Sequence, residues 1–382
     1  MDKILKIRPY ARLITMLGDQ LIKNERIALV ELIKNAYDAD AEWVKVSFLN
    51  FNDDFTVNSD SKIVIEDDGN GMSEQIIEKH WLNPATPEKK KRKKNKETTD
   101  KGRILQGEKG IGRFAIFKLG KKIKICTRRQ VWDPNEQKFI EEGEDVENIV
   151  EYDFSAYDEE FLQKNGEDTE LFIDNLEVVF RQRVPQTIIK KEVELGGVIR
   201  QRKAHGTIIE ISNLKTNWTE NRVIQIQKEI GKLQPIFTEE QKEDFRVWLY
   251  KDTQVHRSNE LYREKLLNCL TNKAVFKITN GHYCENEKRF TFDLNGETKN
   301  LFFQDLVGIE VFKKYFKDVN YSTECGDFKF QFYIFDFKAK DTKYILDDEE
   351  GKIVKEHRIY LYRDQVRVLP YGDPDDDWLR ID

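Results

Sequence analysis

Three residues on one stretch of the sequence have the types and spacing for joint chemistry. In ALVELIKNAYDADA, Glu31, Asn35 and Asp38 fall within about 60° of arc when the segment is wound at about 100° per residue. Leu29, Leu32, Ile33 and Ala36 fall on the opposite side. A carboxylate, an amide and a second carboxylate then face a common point. A carboxylate can take a proton from water, and an amide oxygen can ligate a hard cation. The plain alternative is the solvated face of an amphipathic helix. Asn in mid-helix is a poor helix former, which tilts the balance toward function.

Three more stretches carry potential chemistry. In IEDDGNGM, Asp67 ends an apolar strand, and Gly69, Gly71 and Met72 follow. An acidic group there can accept from an exocyclic amine while the glycines let a flat ring approach the backbone; a simple hairpin turn is the alternative. GEKGIGRFA, Gly107 to Ala115, places three glycines among basic residues before an apolar run. Its backbone N–H groups can turn inward on a phosphate, and a tight loop-to-helix turn is the alternative. The spacing excludes two familiar loops: Gly112 is followed by Arg113 and Phe114 rather than Lys and Ser/Thr, and the order is G-x-x-G-x-G rather than G-x-G-x-x-G. In HGTIIEI, Thr207 opens a strand, and its hydroxyl could serve Asp67 or a base through water.

Elements must position these residues. Residues 11–40 read as helical, with Leu13, Leu17 and Leu21 at four-residue spacing. WVKVSF and KIVIED read as strands, the second ending at the turn signal DGNG. MSEQIIEKHWL reads as a short helix with Ser73 as its cap. NPATPEKKKRKKNKETTDKGR is polar and helix-poor at its start and reads as a mobile loop. KKIKICTR, IVEYDF, LFI and HGTIIEIS read as strands, and a domain boundary is expected near NLKTNW. Thr219 is a cap for a helix reaching Leu233. DFRVWLY, AVFKIT, RFTFDL and FKFQFYIFDF read as strands, and HRIYLYR–DQ–VRVLPY as a hairpin.

Composition bounds the rest. The 382 residues, 39% of them hydrophobic, can build two cored domains, and 24 Phe with 14 Tyr exclude global disorder. The net charge of −6 shows that the surface as a whole is not built for polyanions, so any nucleic-acid contact needs a local basic patch. Four dispersed cysteines without a C-x-x-C pair read as reduced thiols of a cytoplasmic protein. Charges interrupt every apolar run of the first residues, so no signal peptide is expected, and no run approaches a membrane span.

The order and spacing ELIKN-x-x-D, D-x-G-x-G, a long lid ending in G-x-x-G-x-G, then G-T on a strand resemble the GHKL ATPase superfamily of gyrase B, Hsp90, histidine kinases and MutL. The resemblance covers about residues 11–214. FDFKAKDTKY through HRIYLYRDQVRVLPY more loosely resembles the S5-like transducer domain of MORC-like and related bacterial ATPases. The implied fold class is α+β: a Bergerat α/β sandwich over residues 1–215, a mixed sheet covered by helices on one face with a lid at about 83–112, then an S5-like transducer over 216–382.

The resemblance also implies roles. Asn35 would ligate Mg²⁺, Glu31 would deprotonate the attacking water, and Asp38 would support the site. Asp67 would bind the adenine amine of ATP with Thr207. Gly69, Gly71 and Met72 would line the base. Gly107, Lys109, Gly110, Ile111, Gly112, Arg113 and Phe114 would wrap the phosphates as the lid closes. Hydrolysing members take a γ-phosphate contact from the second domain; Lys340 is assigned to it ahead of Arg367, against the alternative of a surface lysine without a role.

Kinase members typically carry Asn where Glu31 stands, so a hydrolase is expected rather than a histidine-kinase-type phosphotransferase, with a non-hydrolysing nucleotide-sensing scaffold as the third reading. The family implies a homodimer on ATP binding, and MORC-like relatives point toward DNA-associated or antiviral machinery. The basic run EKKKRKKNKE is either a solvated loop or a contact for nucleic acid or a partner protein. The ending PYGDPDDDWLRID follows a strand directly, so a further C-terminal region or a joining partner is expected.

Overall fold

The computed structural model describes residues 7–22, 24–83, 97–103, 105, 115–232, 245–256, 264–307, 309–310, 326–355, 359, 361–363 and 366–367. The chain divides into two compact units, Met1–Asn259 with Tyr362–Val368, and Glu260–Leu361 with Leu369–Asp382.

In the first unit the expected helical stretch is two helices, α1 (Arg12–Leu21) and α2 (Glu25–Asp38). The break is chemical. Asn24 is extended at φ −157° and its side chain accepts from Ile27 N, so it caps α2 and cannot continue α1. Strands β1 (Trp43–Leu49) and β2 (Lys62–Asp67) follow. Ser73 then caps a short helix, α3 (Glu74–Ile76), that runs on into a π-turn over Ile77–Trp81. Helix α4 (Ala115–Leu119) leads into β3 (Gly120–Arg128).

Two small hairpins flank the next long strand: β4 (Gln130–Asp133) with β5 (Lys138–Gly143), and β7 (Gln163–Lys164) with β8 (Glu167–Asp168); β6 (Glu147–Asp153) lies between them. LFI is not a strand. Phe172 makes one isolated bridge to Tyr10, and Ile173–Asn175 is a 3-10 turn. Then come β9 (Val179–Arg183), the hairpin β10 (Lys191–Leu195) and β11 (Val198–Arg202), β12 (Gly206–Leu214), helix α5 (Glu220–Lys232), β13 (Arg246–Lys251) and β14 (Gln254–Val255).

These elements build an eight-stranded mixed sheet in the order β14-β13-β1-β2-β12-β3-β6-β9. The first unit runs past the boundary expected near residue 215 because β13 pairs in parallel with β1, Trp43 opposite Arg246. Helices α2 and α5 pack together, and α2 also packs on α4 and β2. Leu29, Leu32, Ile33 and Ala36 are all buried, as the helical spacing requires.

Register explains where the core ends. On the helix-covered face one row reads Val46, Ile65, Ile209, Ile125 and Val150, and the next Phe48, Ile63, Ile211, Ile123 and Tyr152. All ten are buried. Closer to the end of the sheet, the row beside them reads Val44, Asp67, Thr207, Thr127, Asn148 and Gln182. The face thus switches from β-branched and aromatic side chains to hydrogen-bonding ones within a single register step.

In the second unit a π-turn over Cys269–Lys273 precedes an antiparallel sheet of order β17-β16-β15-β18: β15 (Phe276–Cys284), β16 (Arg289–Leu294), β17 (Glu297–Phe302) and β18 (Phe328–Ile334). Tyr283 is buried between the rings of Phe290 and Phe328, at 4.6 and 5.2 Å. Short helices α6 (Phe303–Val307) and α7 (Asp348–Lys355) belong to this unit. The C-terminal hairpin read from the sequence is present as β19 (Tyr362–Arg363) paired with β20 (Val366–Arg367), within the first unit. Among the described residues no helix is long and apolar enough to cross a membrane.

Candidate active site

Asp67 ends β2 and is 7% exposed. Its Oδ1 accepts from Gly69 N at 2.9 Å. Burial pushes its carboxyl up to about 7, and neighbouring Asp68 adds to the rise; the N–H groups of Gly69 and Thr207 and the charge of Arg202 work against it. For Asp67 the cost of burial outweighs the partners the protein gives it.

Thr207 stands opposite Asp67 in register, and its Oγ1 lies 3.1 Å from that of Thr127. Thr127, fully buried, also accepts from Met72 N at 2.9 Å. Asn148 Nδ2 donates to Met72 O at 2.9 Å, and Gln182 Nε2 donates to Asn148 Oδ1 at 3.0 Å. The polar row therefore grips the backbone of the turn after Asp67 from both sides of Met72. Gly71 needs to be glycine twice over: its φ is +62°, and a Cβ would come within 2.0 Å of Arg128 O. Arg129, stacked over the Phe139 ring at 4.6 Å, donates to Gly71 O at 3.2 Å and holds the turn from outside.

The end of α2 is locked to the same turn. Asn70 N donates to Ala39 O at 2.7 Å, and a Cβ on Gly69 would meet that oxygen at 2.7 Å. Asp68 Oδ1 accepts from Glu42 N at 2.7 Å and Trp43 N at 3.0 Å. Glu31, Asn35 and Asp38 are all half-buried on α2, clear of its apolar stripe. Glu31 Oε1 pairs with Lys34 Nζ at 2.9 Å, and Asp38 is engaged by neighbouring groups. Asn35 Nδ2 is buried and makes no hydrogen bond. Amide orientation is interchangeable by a half-turn, so the same position can present Oδ1 to a cation.

The end of the expected lid is not all loose chain. Thr99 Oγ1 donates to Asp40 Oδ1, and Arg103 Nη1 donates to Tyr37 O at 3.2 Å and Ala41 O at 2.7 Å. Thr99 and Arg103 are buried, so these two residues of the stretch read as a loop are tied to the end of α2. The reason is local: Asp40 adopts φ +61° just past α2 and turns its carboxylate toward Thr99. Gly107, Lys109, Gly110, Ile111, Gly112, Arg113 and Phe114 lie outside the described residues. Lys340 is exposed and belongs to the second unit.

Residues 23–164 match the family described as histidine kinase-, DNA gyrase B-, and HSP90-like ATPase. This segment is a GHKL-type ATPase domain. The match holds α2, the Asp67 turn and the glycine loop; Thr207 lies beyond it and joins through register alone. No curated protein matches the chain.

Several residues around the candidate site escaped sequence reading. Thr127 was detectable, since it continues the in-phase series Ile123, Ile125 in KKIKICTR. Asn148, Gln182 and Arg103 carry no such signal, because only strand pairing and chain crossing bring them in. His205 is buried with Nδ1 2.8 Å from Gly69 O; a carbonyl only accepts, so Nδ1 carries the proton. Burial lowers its pKa and keeps the ring neutral.

Proposed function

We propose that this chain is a Mg²⁺-dependent ATPase whose nucleotide sits between α2 and the polar row of the sheet. The observation that carries the reading is Asp67: a buried carboxyl with little compensation, facing a Thr207–Thr127 hydroxyl pair at the end of an otherwise apolar face. An adenine amine donating to Asp67 would supply the missing partner. Hydroxyls that both donate and accept suit a ring nitrogen or a bound water. The glycine turn after Asp67 leaves no side chain in the way of a flat base.

The donor set fits a magnesium ion with phosphate oxygens. Asn35 gives one amide oxygen, and among the described residues no cluster of three His, Cys, Asp or Glu supplies more. Phosphate and water oxygens would complete the shell. When bound, Mg²⁺ neutralises phosphate charge.

Glu31, one turn before Asn35, accepts a proton from the water that attacks the γ-phosphorus, and ADP and phosphate leave. Its pairing with Lys34 holds the carboxylate in place beforehand. Gly107, Gly110 and Gly112 wrap the phosphates when the lid closes, and the docked 97–103 segment gives that lid a fixed root. Closure favours association of two chains, and the second unit acts as transducer, offering Lys340 to the γ-phosphate. ATP drives this switch by binding the closed dimer better than the open chain. A role in DNA-associated or antiviral machinery belongs to the same proposal.

Incubation with γ-labelled ATP and Mg²⁺ tests it. Free labelled phosphate is expected. Label retained on the protein would identify a phosphotransferase, and binding without turnover a nucleotide sensor.

A further inference from the structure

The sheet has a second face, and it carries a cleft apart from the proposed ATP site. Strand alternation sends Asp67 toward the helices and the residues that alternate with it to the rear. There Cys126, Ile149 and Ile188 form a small core against Ile208. The β10–β11 hairpin stands beside β13: Tyr250 Oη accepts from Gly196 N at 2.8 Å and donates to Glu194 Oε2 at 3.0 Å. Gly196, at φ +64°, sits on the Trp248 Nε1 edge, where a Cβ would come to 2.4 Å. Arg202, 1% exposed, anchors the hairpin's base on Glu66 at 2.7 Å.

Between these walls lies a cleft of about 730 Å³, within the size range of small-ligand sites. Lys101, Arg200, Lys203 and Arg246 line it against two carboxylates, Glu42 and Asp68, with Trp248 on one wall. The carboxylates are already engaged. Glu42 takes Lys101 at 2.9 Å and Lys203 at 2.6 Å, and Asp68 lies 3.5 Å from Lys203. Arg200 is exposed and makes no ion pair or hydrogen bond among the described residues. Asp68 Oδ2, although buried, accepts no hydrogen bond. The cleft therefore offers an uncommitted guanidinium in Arg200 and an indole for a flat ring.

Its surroundings limit the length of the anion. Glu141 acts electrostatically on Lys203, and Glu142 lies within range of Arg128 and His205. A polyanion running out of the cleft on that side would meet these carboxylates, on a chain whose net charge is −6. We propose that this rear cleft binds a small phosphate-bearing ligand with a flat ring, a mononucleotide-class anion, at a site separate from the ATP pocket.

Titrating UMP, inorganic phosphate and an oligo(dT) 20-mer into the full chain saturated with a nonhydrolysable ATP analogue tests this. UMP is expected to bind saturably at one site per chain, more tightly than phosphate, and to quench tryptophan fluorescence. Arg200→Glu should weaken UMP roughly tenfold, Trp248→Phe should remove most of the quench, and both should leave ATP turnover unchanged. The proposal is overturned by absence of saturable UMP binding, by UMP binding no tighter than phosphate, or by affinity unchanged in Arg200→Glu. Tighter binding of the oligonucleotide than of UMP would replace the small anion with single-stranded nucleic acid. UMP binding lost in Asp67→Asn but kept in Arg200→Glu would move the ligand into the ATP pocket.

Discussion

Asp67 and Asp68 are chain neighbours, both nearly excluded from solvent, yet they serve opposite faces of one sheet. Asp67 has only the backbone N–H groups of Gly69 and Thr207 against it and is pushed up to about 7 by burial. Asp68 is wrapped by the N–H groups of Glu42 and Trp43 and by Lys203. Beside it, burial would raise Glu42, but Lys203 and Lys101 prevail and hold it down at about 2. The front carboxyl is left underpaired, as a group kept for a ligand would be, while the rear carboxylates are committed to holding loop, hairpin and strand together. Burial alone does not separate a binding acid from a structural one; the charged donors in contact with it do.

The largest break in this contrast is expected at the chemistry of the front face. Glu31→Ala should lower ATP turnover by about a thousandfold while ATP binding persists, measured by phosphate release beside equilibrium binding. Loss of binding together with turnover would make Glu31 a binding group instead.

Asp67→Asn comes next, and it should cut ATP affinity by about tenfold to a hundredfold. Its stability should move the other way. A carboxyl raised from 3.8 to about 7 keeps its proton in the folded state, so its contribution is present below 3.8 and is lost as pH rises through about 7. Chemical denaturation of the ligand-free protein should show stability falling across that window, by about 4 kcal/mol at most, and Asp67→Asn should flatten the fall. ATP affinity should rise over the same window. Glu42 predicts the reverse sign: its contribution is present above 4.5 and lost as pH falls toward about 2.

Thr127→Val keeps shape but removes the hydroxyl that serves Met72 N and Thr207. A loss of about 1–2 kcal/mol in stability and a several-fold loss in ATP affinity are expected. An unchanged ATP affinity would limit the polar row to a structural role. The smallest effect belongs to the rear: Lys101→Ala, partly exposed and with Lys203 still on Glu42, should cost under about 1 kcal/mol at neutral pH.

The sequence by itself determined a good deal here. Helical spacing separated Glu31, Asn35 and Asp38 from Leu29, Leu32, Ile33 and Ala36, because a 3.6-residue period leaves the chain no other way to bury one stripe. D-x-G-x-G located the turn, because Gly71 must take a left-handed φ under Arg128 O. Alternation found β1, β2, β3 and β12.

What the tertiary structure alone decided is which strands stand side by side. Strand pairing aligned Asp67, Thr207, Thr127, Asn148 and Gln182 in one row, although they span residues 67 to 207. It also put β13 beside β1 and so made a rear cleft from Lys101, Arg200 and Trp248. Periodicity along a chain reports which face a residue takes. Register between strands is fixed by how distant segments pack, and no local spacing encodes it.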